Sequence, residues 1–189
     1  MADINYRNPA AGSDSKAAEG RSGALKAGEL RWDFIELLFF AYRDFVGDAD
    51  HELEAFGFGR AHHRVLHFVH RYPGLKVADL LDVLRITKQS LGRVLKQLLD
   101  EGYIVQKAGN NDRRQRLLFA TAKGEALVAK LAGLQTDRIT RALRDIGPAG
   151  TDTVRQFLRA MIDRDDPDKV LEAIFGPSGT TAKTKESKE

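Results

Sequence analysis

Lys88, Gln89, Ser90, Arg93 and Lys96 stand on the polar side of one short amphipathic run, and their side chains are of the kind that reads duplex DNA. Arg and Lys hydrogen-bond the acceptor edge of guanine, Gln pairs in bidentate fashion with adenine, and Ser serves either base. The acids of this run, Asp100 and Glu101, come only at its far end. A second cationic group follows, made of Arg113, Arg114 and Arg116 with Lys107 close by and Asp112 beside it. Arginine on a narrow loop suits the minor groove, where A·T-rich narrowing deepens the negative potential. The whole chain carries a formal charge of only +3, so the cations are concentrated here rather than spread. Local charge of that kind drives phosphate binding and makes it fall with salt.

These residues need elements to hold them. Thr87 can cap a helix by accepting from the backbone N–H groups of its first turn. Leu91, Val94, Leu95 and Leu98 recur at the spacing of one buried helical stripe. Taken alone, this helix also fits an ordinary solvated face. Gly92 is unfavourable in its interior by about 1 kcal/mol relative to Ala, and a close approach to a phosphate or a neighbouring helix would account for it. Upstream, VADLLDVL has the apolar pattern of a short helix, followed by a two-residue corner at Arg85 and Ile86. Downstream, strand-like runs from Tyr103 to Lys107 and from Arg116 to Thr121 flank AGNNDRRQ, where Gly109, Asn110 and Asn111 are turn formers. Helix, tight turn, helix and basic hairpin form the order of a winged helix-turn-helix. The hairpin decides against a merely solvated face.

The stretch TKQSLGRVLKQLLDEGYI, the DRR of the hairpin tip and LLFATAKG together resemble the MarR family of bacterial transcriptional regulators. The resemblance runs over roughly residues 30–165. FFAYRDF and GRAHHRVLHF resemble its PetP-like branch. The family carries a D-x-R motif at the wing tip, which Asp112-Arg113-Arg114 fits. The resemblance implies that Arg114 enters the minor groove while Asp112 orients the wing. It also implies a homodimer held by the first and last helices.

The flanks agree. ELRWDFIELLFFAYRDFV reads as an apolar helix, with Asp48 or Asp50 capping a further turn or two at HELEAF. Past the wing, one long helix ends at Gly147-Pro148 and another covers TDTVRQFLRAMIDR. These helices carry more apolar surface than a small reading lobe can cover, and a twofold partner is the simplest cover. Such a dimer sets two recognition helices about 34–36 Å apart on a pseudo-palindrome; a monomer folding the helices on itself is the alternative. The expected fold is therefore mainly α with a small β-wing, a winged helix-turn-helix lobe flanked by N- and C-terminal dimerisation helices. The expected layout is a disordered tail over 1–28 and a MarR-like domain over 29–166, then a short helix over 167–176 and a second tail over 177–189. Within that domain the reading lobe covers about 60–121, with dimerisation helices at 29–56 and 121–165.

Histidines 62, 63, 67 and 70 crowd one segment, and positions 63, 67 and 70 share a helical face. Histidine is the commonest metal ligand, which makes a metal- or haem-responsive regulator built on His62–His70 an alternative. No carboxylate or cysteine in that segment completes a site, so no metal ligand set and no cofactor is expected; lining a pocket and sensing pH are competing roles. By family analogy Trp32, Phe39, Tyr42, Arg43, His63 and His67 line an effector pocket. Aromatic bodies with a few polar handles suit a planar anionic small molecule. The plainer reading places the aromatics in a dimer core. The chain has no cysteine, which excludes thiol sensing and disulfides. It has no membrane-length apolar run and no signal-peptide core, so a cytoplasmic protein without membrane contact is expected. No P-loop, dinucleotide fingerprint, nucleophile elbow or zincin motif occurs, and an enzyme is not expected. A winged helix that binds protein instead of DNA is the remaining alternative, and the cationic face and wing speak against it.

Overall fold

The computed structural model describes residues 28–109 and 115–162. In chain order it contains α1 (Trp32–Glu54), α2 (Arg60–Arg71), β1 (Leu75–Lys76), α3 (Val77–Leu84), α4 (Lys88–Asp100), β2 (Ile104–Ala108), β3 (Arg116–Ala120), α5 (Ala122–Ile146) and α6 (Pro148–Ala160). The fold is mainly α with a small antiparallel sheet in the order β1-β3-β2. β2 and β3 form the wing, registered from Ile104 opposite Ala120 to Ala108 opposite Arg116. The expected tails at 1–27 and 177–189, the short helix at 167–176 and the wing-tip residues Asp112, Arg113 and Arg114 lie outside the described residues.

Local chemistry sets the element boundaries. Ser90 N–H donates to Thr87 Oγ1 at 3.2 Å, which caps α4, and Gly124 N–H donates to Thr121 Oγ1 at 3.2 Å, which caps α5. Each cap is worth about 1 kcal/mol. Gly147 and Pro148 separate α5 from α6, with proline in the first turn where its missing N–H costs nothing. Between α3 and α4 the chain turns through Arg85 at φ 49°, ψ 46°, the one left-handed residue other than glycine among the described residues. That conformation costs an L-residue roughly 1–2 kcal/mol.

The core is the reading lobe. Leu66, Leu80, Leu91, Leu98, Ile104, Leu118 and Leu131 are fully buried and join α2, α3, α4, the wing and the start of α5. The α4 stripe Leu91, Val94, Leu95 and Leu98 is buried as its spacing demands. Two features differ from expectation. α1 runs without a break through Asp48 and Asp50 to Glu54, because Val46, Ala49 and Leu53 continue the buried stripe. Asp48 and Asp50 instead pair with Arg138 at 2.7 Å and Arg60 at 2.6 Å. β1, two residues long and paired to β3 at Leu75 opposite Leu118, is too short to show any alternation in sequence.

The outer helices are a different matter. The first half of α1 buries nothing, α5 has its buried residues before Ala132, and α6 has none. Trp32, Leu37, Phe39, Phe157, Leu158 and Met161 all lie open on this surface. No helix among the described residues is long and apolar enough to cross a membrane.

Candidate nucleic-acid interface

α4 is held by its apolar stripe with the opposite side outward, and that side carries Lys88, Gln89, Arg93 and Lys96, all exposed. Lys88, Gln89 and Arg93 have no hydrogen bond or ion pair among the described residues, so their polar groups remain available to a ligand. Lys96 is tethered to Asp100 one turn on. Thr87 serves the fold first: besides capping α4 it donates its hydroxyl to Ser90 Oγ at 2.9 Å, which leaves the Ser90 proton free. A Cβ built on Gly92 meets nothing within 4 Å, so packing inside the chain does not demand glycine there.

Gln97, next to Lys96 on the polar side of α4, is committed within the chain: its Oε1 lies 2.8 Å from His62 Nε2 and its Nε2 donates to Glu101 at 2.9 Å. His62 Nδ1 accepts from Gly59 N–H at 3.1 Å, which makes Nε2 the protonated nitrogen and the donor to Gln97. The imidazole also stacks on Phe58 at 4.7 Å. His62 thus locks the start of α2 against the recognition helix.

The wing is anchored at its base. Thr121 Oγ1 donates to Gly102 O at 2.8 Å, and Tyr103 packs edge-on to Phe58 at 5.0 Å. Gly109 N–H donates to Gln115 O at 3.0 Å and closes the neck of the hairpin. Arg116 is exposed on β3, and Lys107 sits 4.8 Å over the Phe119 ring. The recognition helix and the wing strands thus project from one core.

A cavity of about 490 Å³ lies where α1, α2 and α5 meet. Tyr42, Asp50, Arg60, His63, Arg64 and His67 form its polar wall. Of the six expected pocket residues, Tyr42, His63 and His67 line it. Trp32, Phe39 and Arg43 do not: Trp32 and Phe39 share a helical face with Val46 but stand nearer the start of α1, before the lining begins at Tyr42, and Arg43 is taken by Asp44 at 2.8 Å and stacks over Phe40. Arg60 and Arg64, which sequence reasoning missed, are on the same wall; α2 has polar residues on several faces, so periodicity did not single them out. The histidines therefore divide, with His62 directed to α4 and His63 and His67 to the cavity. Among the described residues no three His, Cys, Asp or Glu side chains converge as a metal site.

Burial holds His63 below the ordinary histidine pKa, with His67 adding to the effect and Asp50 opposing it. Burial likewise lowers His67, helped by Arg71 and His70. The folded state thus takes up protons less readily than the unfolded chain. Stability from these two groups is complete above the unfolded value of 6.5 and is lost as pH falls through the folded values. Denaturant titrations should show a lower unfolding free energy at about pH 5.5 than at about pH 7.5, a difference reduced in His63→Gln/His67→Gln. An unaltered pH profile in that variant would assign the dependence to other groups.

Comparison with known proteins follows the same lines. Residues 56–115 match the model of the MarR family. Over 151 residues, 80% of this chain and 91% of the relative, the sequence is 46% identical to the HTH-type transcriptional regulator PetP of Rhodobacter capsulatus. Among solved structures, a MarR transcriptional regulator from Methanosarcina mazei Go1 superposes with a TM-score of 0.59 at 22% identity, covering 72% of this chain and 92% of that one. The crystal structure of MarR gives 0.55 at 21% identity, covering 74% and 92%. The structural likenesses speak for the fold.

Proposed function

The chain belongs to the MarR family of DNA-binding transcriptional regulators, and from that premise we propose that it binds a pseudo-palindromic operator in duplex DNA as a homodimer. The observation that carries this reading is the outward side of α4, where Lys88, Gln89 and Arg93 are exposed and uncommitted. In this reading Gln89 and Arg93 reach base edges in the major groove, while Lys88, Ser90 and Lys96 hold the flanking phosphates and Thr87 sets the start of the helix. Asp112, Arg113, Arg114 and Arg116 form the wing contact, with Arg114 in the minor groove. Exposed apolar side chains of α1, α5 and α6 supply the dimer surface. The protein works in the cytoplasm.

The cavity supports ligand control. Its size falls within the range of small-molecule sites, and Tyr42, His63 and His67 beside the Arg60–Asp50 pair give a small molecule an aromatic wall with polar handles. Such a ligand would release DNA by favouring a lobe spacing unlike one DNA turn, and only to the extent of its differential affinity for that state.

Fluorescence anisotropy on the protein's own promoter region tests the reading. Affinity should fall steeply with salt. Arg93→Ala should lose about 10- to 100-fold on the operator, corresponding to 1–3 kcal/mol for a base contact, and less on an unrelated duplex. Arg114→Ala should weaken binding most where the minor groove is A·T-rich. Unchanged affinity in both variants would overturn the assignment.

A further inference from the structure

We propose that Arg85 is a phosphate anchor of the DNA interface, positioned by the left-handed turn between α3 and α4; the proposal depends on α4 being the DNA-reading helix. The position calls for glycine, which adopts a positive φ without steric cost and is the usual residue just past a helix end. Arginine occupies it at φ 49°. Among the described residues no side-chain contact of Arg85 offsets that strain. The cap at this site is made by the backbone, Arg85 N–H donating to Leu81 O at 3.0 Å, and any residue with this conformation supplies it. The last carbonyl of α3 is served by a different cation, with Arg64 Nη2 donating to Leu84 O at 3.3 Å. Arg85 itself is exposed, and no hydrogen bond or ion pair among the described residues holds its guanidinium.

Its place supplies the reason. Arg85 precedes Thr87, the N-cap of α4, by two residues, so it shares the end of the recognition helix that bears Lys88 and Gln89. In a helix-turn-helix the first helix crosses the phosphate backbone and the N-terminal residues of the second reach into the groove. The turn joining them therefore lies at the groove rim, beside phosphodiesters rather than base edges. A guanidinium is well suited to a phosphate, with a planar fork of donors and a charge that persists at any working pH. Exposed at this turn, the long cation is within reach of that rim.

Full-length Arg85→Gly, Arg85→Asn and Arg85→Lys separate this role from a structural one. Glycine relieves the strain, asparagine tolerates the conformation without adding freedom, and lysine keeps the charge. Arg85→Gly should melt at or above the wild-type temperature. It should nevertheless bind promoter and unrelated duplexes about 5- to 10-fold more weakly, and Arg85→Asn should do the same. The slope of log affinity against log salt should become shallower by about 0.9 for each phosphate no longer neutralised, twice that per dimer. Arg85→Lys should restore the slope. Wild-type affinity and slope in both neutral variants would overturn the anchor while leaving α4 as the reader. A wild-type protein that binds no duplex would overturn the underlying reading instead.

Discussion

Alanine at Gly124 is expected to cost about 3 kcal/mol of folding stability, at the upper end of what overpacking does. Gly124 lies in the first turn of α5, and a Cβ there would sit 2.2 Å from Tyr103 O and 3.3 Å from Leu66 Cδ1. Leu66 is a core side chain, and the Tyr103 carbonyl is backbone that already accepts from Thr121 N–H at 3.0 Å. Neither neighbour can swing aside as a flexible side chain would. To admit one methyl group, the start of α5 must lift off the base of the wing, which weakens the Thr121 cap and the seat of Tyr103. Against a typical domain stability of about 5–15 kcal/mol that is a large fraction. Gly133→Ala in the same helix meets nothing within 4 Å and should be neutral or gain about 0.5–1 kcal/mol from the better helix former. Urea titrations of the two variants check this. Equal midpoints would mean that α5 is not seated against the wing as described.

Phe39→Asp combined with Leu158→Asp is expected to yield a folded monomer whose operator affinity is lower by about 100- to 10,000-fold. Both side chains stand in water, Phe39 at 70% and Leu158 at 54% relative exposure, so the reading lobe does not depend on them. They belong to an apolar surface that includes Trp32, Leu37 and Met161, and Phe34 meets Phe157 across it at 5.9 Å between ring centroids. Large apolar side chains left exposed in this number on the outer helices mark an interaction site. A second copy is the occupant that also gives the two-helix spacing of a half-site pair. Charge placed in that interface is desolvated without a partner and opposes association. The DNA loss is then an effect of linkage, because each reading lobe must find its half-site without the high local concentration the other provides. Light scattering gives the mass and anisotropy the affinity; a dimeric double variant, or a monomeric wild type, contradicts the proposal.

Much of the fold was legible because it is written in local rules. The α4 stripe repeats at helical spacing, Thr87 and Thr121 are cap residues at the right offsets, and Gly147-Pro148 punctuates the C-terminal helices. The polar face of α4 was legible for the same reason, since burying one stripe exposes the rest. β1 was not, because two residues carry no periodicity, nor was the continuation of α1, because Asp48 and Asp50 resemble caps until Arg138 and Arg60 are seen beside them.

Amphipathic spacing, capping and turn chemistry act over a few neighbouring residues, so the winged helix-turn-helix order and the cations on α4 are already written in the chain. What the ambiguous polar residues do depends on packing between distant segments. Gln97 meets His62 across 35 positions, His63 and His67 enter the cavity wall with Arg60 and Arg64, and Gly124 takes its meaning from a carbonyl 21 residues earlier. A polar side chain has no preferred partner until packing brings one within about 3 Å. Packing between distant segments depends on how whole helices dock, which no local pattern records.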